Sequence, residues 1–62
     1  MYVVSISKDA VFYYLNQEHE VYAFDYKDEE VVNLRHEIVE DIWSMTKDDD
    51  NVFFILEEDK DK

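Results

Sequence analysis

The fold prediction depends on residues 28–47, which read DEEVVNLRHEIVEDIWSMTK. At about 100° per residue, the apolar side chains of this stretch fall in one sector of a helical wheel. The sector covers about half of the circumference, whereas a helix that packs against one partner needs a stripe of roughly 100°. We therefore predict one long amphipathic helix over 28–47, with Asp28 as its N-cap and Lys47 in its last turn.

Arg35 lies inside that apolar sector and allows two interpretations. In the first, its aliphatic stem lies on apolar surface while the guanidinium reaches water or a strand carboxylate such as Asp25 or Glu57. In the second, Arg35 forms a buried ion pair at a self-association interface.

Four strands are predicted around the helix, over residues 2–7, 10–16, 20–26 and 52–56. Short turns separate the first three, so these are expected to form an antiparallel meander. The result is a single α+β domain over residues 1–62, in the order β-β-β-α-β, with a charged tail over 57–62. The chain has no glycine and no proline, so its tight turns are expected to rely on Asn and Asp.

From residue 10 onward, every predicted strand carries large apolar side chains on both faces. In the third strand the two alternating sets are Val21 and Ala23 against Tyr22, Phe24 and Tyr26, and in the last strand they are Val52, Phe54 and Leu56 against Phe53 and Ile55. One helix covers only one face of a sheet, so the other face would expose several aromatic residues, more than soluble monomers usually tolerate. We therefore expect a second copy of the chain, or a second protein, to cover that face.

The charge balance indicates the kind of partner. Seventeen acidic residues face six basic ones, and the formal net charge is −11. Such a chain repels nucleic acid and anionic membranes and favours a basic protein, although acidity also serves solubility alone. The absence of cysteine, of a signal sequence and of an apolar run of about 20 residues predicts a cytoplasmic protein.

No catalytic or metal-binding motif is recognisable. Nothing joins His19 or His36 to a nucleophile, and His36 is expected to pair with Glu40 on the helix. Residues 48–51 lack the spaced ligands and the glycine of a calcium loop. We therefore predict a protein that is not an enzyme, with no metal ligand and no cofactor.

In size, charge and mixed sheet-and-helix build, the chain resembles the small acidic viral inhibitors that mimic DNA. These include the phage inhibitors of uracil-DNA glycosylase and some anti-restriction and anti-CRISPR proteins. The resemblance lies in composition and implies a virus- or mobile-element-encoded inhibitor of a basic nucleic-acid-binding protein or enzyme, acting in the host cytoplasm. Two alternatives are a small dimeric structural or regulatory domain and an antitoxin- or immunity-like partner of one cognate protein.

The candidate partner-binding residues combine acids with aromatic anchors, because charge sets association rate while buried aromatics carry affinity. On the predicted helix, Glu30 and Glu37 stand about 10 Å apart along the axis, which is a multiple of the phosphate spacing along DNA. The acids are Glu30, Glu37, Glu40, Asp41, Asp48, Asp49 and Asp50, and the aromatics are Trp43, Tyr14 and Tyr22.

Overall fold

The apolar runs of the chain form a four-stranded antiparallel sheet with two helices, in a computed structural model that describes residues 1–59. The strands are β1 (Tyr2–Ile6), β2 (Tyr22–Asp25), β3 (Glu30–Asn33) and β4 (Asn51–Glu57), and the helices are α1 (Val11–Asn16) and α2 (Val39–Lys47). The 3₁₀ turns Lys8–Ala10 and Leu34–His36 precede α1 and α2 respectively. The α+β class is confirmed, but the order is β-α-β-β-α-β. Of the predicted charged tail, residue 57 belongs to β4, and residues 60–62 lie outside the described residues.

The strand order in the sheet is β1-β4-β2-β3, so the predicted meander of the first three strands is wrong. The pairing of β1 with β4 runs from Tyr2 opposite Glu57 to Ile6 opposite Phe53. The solid apolar run of β4 predicts a strand buried on both faces. The helices cover only one of its faces, although β4 has a neighbouring strand on each edge. β1 and β2 are both antiparallel to β4, which lies between them, and β3 forms a hairpin with β2.

Residues 10–16 are helical instead of forming the predicted second strand. Val11 and Leu15 are four residues apart, a spacing that places both on one face of a helix, and both pack in the core. A Schellman motif ends α1, in which the N–H groups of Glu18 and His19 donate to the carbonyls of Leu15 and Tyr14, each at 3.0 Å.

The predicted helix over 28–47 divides into three elements, and only residues 39–47 form an α-helix. The β-branched pair Val31–Val32 enters β3, where such residues are favoured. Asn33 then caps the second 3₁₀ turn by accepting from the Arg35 N–H at 3.0 Å. Asp28 is therefore not an N-cap and lies in the turn between β2 and β3. The predicted helix end at Lys47 is confirmed.

Arg35 is exposed and holds the segment that follows α1. Its guanidinium donates to the Glu18 carbonyl and lies 3.7 Å from the Glu20 carboxylate. Its carboxylate partner is thus neither Asp25 nor Glu57, and the side chain is 39% exposed. This agrees with the first interpretation in that the Arg35 guanidinium is exposed, but the nearby carboxylate is that of Glu20.

Two turns place glutamate where asparagine or aspartate was expected. Glu18 and Glu29 have positive φ angles of 61° and 55°, the left-handed region that costs a residue with a Cβ atom about 1–2 kcal/mol. Aspartate closes turns in another way: the carboxylates of Asp25 and Asp48 accept from the N–H groups of Lys27 and Asp50 at 2.9 and 3.0 Å.

Both helices pack on the same face of the sheet, and the core lies between them and that face. The buried cluster consists of Val11, Val21, Ala23, Leu34, Ile42, Phe53 and Ile55. It joins α1 and α2 to the inward-facing residues of β2 and β4. The opposite face of the sheet contributes nothing to this cluster or to the half-buried residues packed against it.

Candidate protein-binding surfaces

The uncovered face of the sheet, which we call the open face, is apolar. The strand registers place on it Val3, Ser5, Tyr22, Phe24, Val31, Asn33, Val52, Phe54 and Leu56. Val3 and Val31 are 61% and 59% exposed, and the aromatic residues are half-buried. The predicted alternation of the last strand is confirmed, with Phe53 and Ile55 buried beneath the helices.

None of the strand positions on the open face is occupied by Asp, Glu, Lys or Arg. The charged residues of the four strands, Asp25, Glu30 and Glu57, lie at strand ends in register with the covered face. An antiparallel sheet with one solvated face normally carries its polar residues on that face. Here the face without helices is nearly as apolar as the covered face, which is typical of a surface that contacts another protein.

Aromatic rings form ordered pairs on and beside the open face. Tyr22 and Phe54 stack with their ring centroids 5.4 Å apart and an interplanar angle of 19°. Phe24 and Tyr26 meet edge to face at 5.1 Å and 88°, and Tyr26 is 62% exposed. Rings held by neighbouring rings lose little further entropy when a partner covers them, so the face is suited to binding.

A second surface lies on the helix side, which we define as residues 8–16 and 37–50. An open groove of about 310 Å³ is lined by Lys8, Asp9, Phe12, Trp43 and Thr46. The rings of Phe12 and Trp43 pack at 4.6 Å and 32°, yet Trp43 remains 52% exposed. Trp43 is thus held in position and still accessible to another molecule.

The groove is lined by one acid and one base, Asp9 and Lys8, and further acids lie nearby. Glu40, three residues before Trp43, is its neighbour on the surface of α2. The Lys8 ammonium lies 3.3 Å from the Asp49 carboxylate, so the loop between α2 and β4 reaches the groove. This ion pair is exposed and contributes little stability.

The ten predicted partner-binding residues do not form one surface. Seven of them lie between residues 37 and 50 on the helix side: Glu37, Glu40, Asp41, Trp43, Asp48, Asp49 and Asp50. Glu30 begins β3, and Tyr22 lies on the open face. Tyr14 is half-buried in α1, where its ring meets the His19 imidazole edge to face at 5.5 Å. Glu30 and Glu37 are not on one helix, so the spacing that suggested DNA phosphates is absent.

Sequence reasoning missed acids that the sheet brings to the loop of residues 48–50. Asp25 is opposite Asn51, and the Tyr26 N–H donates to the Asp50 carbonyl at 3.0 Å. The turn with Asp28 and Glu29 therefore adjoins that loop. Only the pairing of β2 with β4 reveals this, and no local pattern predicts it.

The histidines have structural surroundings. The His19 Nε2 lies 3.5 Å from a Glu57 carboxylate oxygen, and its Nδ1 is 2.9 Å from the Glu20 carbonyl oxygen. His36 is in the second 3₁₀ turn and not on the helix with Glu40, so the predicted helical pair is not formed. Within residues 1–59, no three His, Asp or Glu side chains are grouped as ligands for a metal ion.

Comparison of the chain with protein-family models, with curated protein sequences and with solved structures finds no match. Across the described residues, every helix is too short or too polar to cross a membrane. Any function assigned to the chain therefore follows from its own residues.

Proposed function

We propose that this chain is a non-catalytic, acidic protein-binding module that binds a basic protein through its helix side. The observation that carries the proposal is Trp43, which is half-exposed in an open groove. Asp9 lines this groove beside Lys8, Glu40 neighbours Trp43 on α2, and the Asp49 carboxylate pairs with Lys8. Tryptophan is the residue most often found to dominate binding energy when a partner covers it. The nearby acids would steer a basic surface toward the groove and select against acidic competitors.

The net charge of −11 predicts that binding to a basic partner depends on salt concentration. A basic partner would be attracted over a distance set by the Debye length, about 30 Å at 0.01 M salt and about 8 Å at 0.15 M. Binding should therefore weaken as salt rises. The acids proposed to contribute are Glu37, Glu40, Asp41, Asp48, Asp49 and Asp50, with Trp43 as the apolar anchor.

A narrower form of the proposal is a DNA-mimic inhibitor whose partner is a nucleic-acid-binding protein in the cytoplasm of a viral host. It rests on net charge and on the acids near the groove, because the regular helical spacing of Glu30 and Glu37 is not formed. In this form, DNA and the chain compete for one site on the partner. An immunity-like partner of one cognate protein would instead bind without such competition.

The test compares four immobilised baits in lysate of the source organism or its host: wild type, Trp43→Ser, Glu40→Lys and Glu58→Lys. The last two change the net charge equally, but Glu58 is exposed beyond β4, at the far end of that strand from the loop of residues 48–50. We expect a basic protein that wild type and Glu58→Lys retain, that the other two lose, and that a salt gradient releases. Equal retention by all four baits would contradict the proposal, since neither Trp43 nor Glu40 would then contribute to capture. Equal weakening by Glu40→Lys and Glu58→Lys, with no effect of Trp43→Ser, would contradict it too, since net charge alone would explain the capture.

A captured protein is then challenged with a short DNA duplex. Displacement by DNA supports the DNA-mimic form, whereas a complex unaffected by DNA excludes it and leaves the broader proposal in place.

A further inference from the structure

We infer that the open face is the interface of a homodimer, in which two copies stack sheet against sheet. The proposal does not depend on the function of the helix side. Its basis is the apolar character of the face that no helix covers: this face bears Tyr22, Phe24 and Phe54 and no charged strand residue, in a chain of which 37% is charged.

Charge decides in favour of a second copy. Two chains that each carry a net charge of −11 repel each other wherever carboxylates meet. The strand positions of the open face carry no carboxylate, and Glu20, which accepts from the Asn33 amide at 2.6 Å, lies beside Asn33 at the end of β3. Two open faces can therefore meet with few opposing carboxylates. A basic partner, by contrast, would find little counter-charge there and would lose hydration of its own charges with little compensation.

The symmetry of the contact also fits. A two-fold dimer presents the same patch from both subunits, so the patch has to be complementary to itself. A flat apolar surface meets this requirement because sheets pack face to face at about 10 Å through their side chains. The stacked Tyr22–Phe54 pair lies on the two central strands, β2 and β4, where a second sheet would cover it.

The size of the patch predicts a weak dimer. Four strands about 4.8 Å apart and about five residues long give a flat footprint of about 320 Å² per copy. A standard interface buries about 800 Å² per partner. We therefore expect a dissociation constant of the order of 1–100 µM, so that monomer and dimer coexist at accessible concentrations.

Pairing through the free edge of β1 is the competing arrangement, since β1 also lacks charged residues. The two arrangements differ at Phe54. β4 is an interior strand, so a chain joined at the β1 edge would leave the Phe54 side chain uncovered. Stacking of the open faces would bury it.

The test is sedimentation equilibrium of the whole chain from about 1 µM to about 500 µM, a range that spans the expected dissociation constant. Phe54→Lys and Val31→Lys should each raise the dissociation constant more than tenfold. Tyr13→Lys, which changes an exposed aromatic of α1 with the same charge, should leave it unchanged. Val31 is 59% exposed, so its lysine variant is expected to fold even if Phe54→Lys does not.

Two results would overturn the inference: a monomer at every concentration, or a dimer that Val31→Lys and a folded Phe54→Lys leave intact. The dependence of binding on salt concentration distinguishes this proposal from the proposed function of the helix side. Screening should strengthen a dimer of two acidic chains and weaken the complex with a basic partner. Either proposal can therefore fail while the other stands.

Discussion

Phe53 and Phe54 are consecutive residues of β4, yet they belong to opposite surfaces of the molecule. Phe53 is 3% exposed beneath the two helices, whereas Phe54 is half-buried on the open face beside Tyr22. The sequence makes the two faces of the sheet almost equally apolar, but the chain supplies helices for only one of them. The comparison teaches that an apolar strand pattern indicates how many faces of a sheet are suited to being covered, and the described residues cover only one of the two.

The largest expected difference between the faces comes from truncating these two phenylalanines. Phe53→Ala should lower the free energy of unfolding by about 3–5 kcal/mol, because it leaves a cavity in the core. For a domain of 62 residues this approaches the whole stability. Phe54→Ala should cost about 1–2 kcal/mol when measured at low concentration, where the proposed dimer would be dissociated. Urea unfolding followed by circular dichroism measures both, and equal losses would show that the open face is also part of the monomer core.

Valine-to-threonine substitutions sharpen the comparison without changing side-chain shape. Val21 is fully buried and Val31 is 59% exposed. Val21→Thr should cost about 1–3 kcal/mol, because it places a hydroxyl in the core without a prepared partner. Val31→Thr should change the free energy of unfolding by less than about 0.5 kcal/mol. A large cost at Val31, in dilute solution, would contradict the description of this face as uncovered.

Glycine at position 18 should stabilise the turn that leads from α1 into β2. Glu18 has a left-handed backbone in a Schellman motif, the position at which glycine is favoured. Glu18→Gly should raise the free energy of unfolding by about 1 kcal/mol relative to Glu18→Gln. The glutamine variant removes the same charge and keeps the Cβ atom, so the difference isolates the backbone effect. Chemical denaturation of the pair would disprove the left-handed assignment if glutamine were the more stable variant.

The smallest expected effect is the response of the melting temperature to salt. It tests the repulsion among the acidic residues, which are absent from the strand positions of the open face and lie on the rest of the surface. Raising NaCl from about 0.01 M to about 0.15 M should increase the melting temperature by a few degrees, because screening relieves repulsion among the excess acids. The double variant Asp28→Asn, Glu58→Gln should respond less, since it carries less negative charge. A melting temperature that fell with salt would indicate that attractive ion pairs outweigh the repulsion.

The sequence predicted three of the four strands, the end of α2 and the alternation of buried and open residues in β2 and β4. It failed where one stretch fitted two kinds of secondary structure. Residues 10–16 contain a continuous apolar run, which suits a buried strand, and also the helical spacing of Val11 and Leu15. Periodicity alone does not distinguish the two for so short a run. The error over 28–47 had a visible sign, because an apolar sector of about half the helix circumference is wider than one packed face requires.

The candidate surfaces were predictable to different extents. The surplus of apolar strand residues indicated an uncovered face before any strand order was known. The groove at Trp43 forms because α1 lies beside α2. The sequence predicts a strand over residues 10–16, so no sequence pattern indicates this groove. The acids of the turn after β2 join the loop of residues 48–50 only through long-range strand pairing.

The central position of β4 has a consequence for how the chain folds during synthesis. Its partners include β1, with Tyr2 opposite Glu57, so the sheet joins segments from nearly opposite ends of the described chain. Until β4 has left the ribosome, β1 and β2 have no strand between them and the core lacks Phe53 and Ile55. A nascent chain can form little beyond local helix and the β2–β3 hairpin before that moment. Folding is therefore a late, high-contact-order event, slower than the length of the chain alone would suggest.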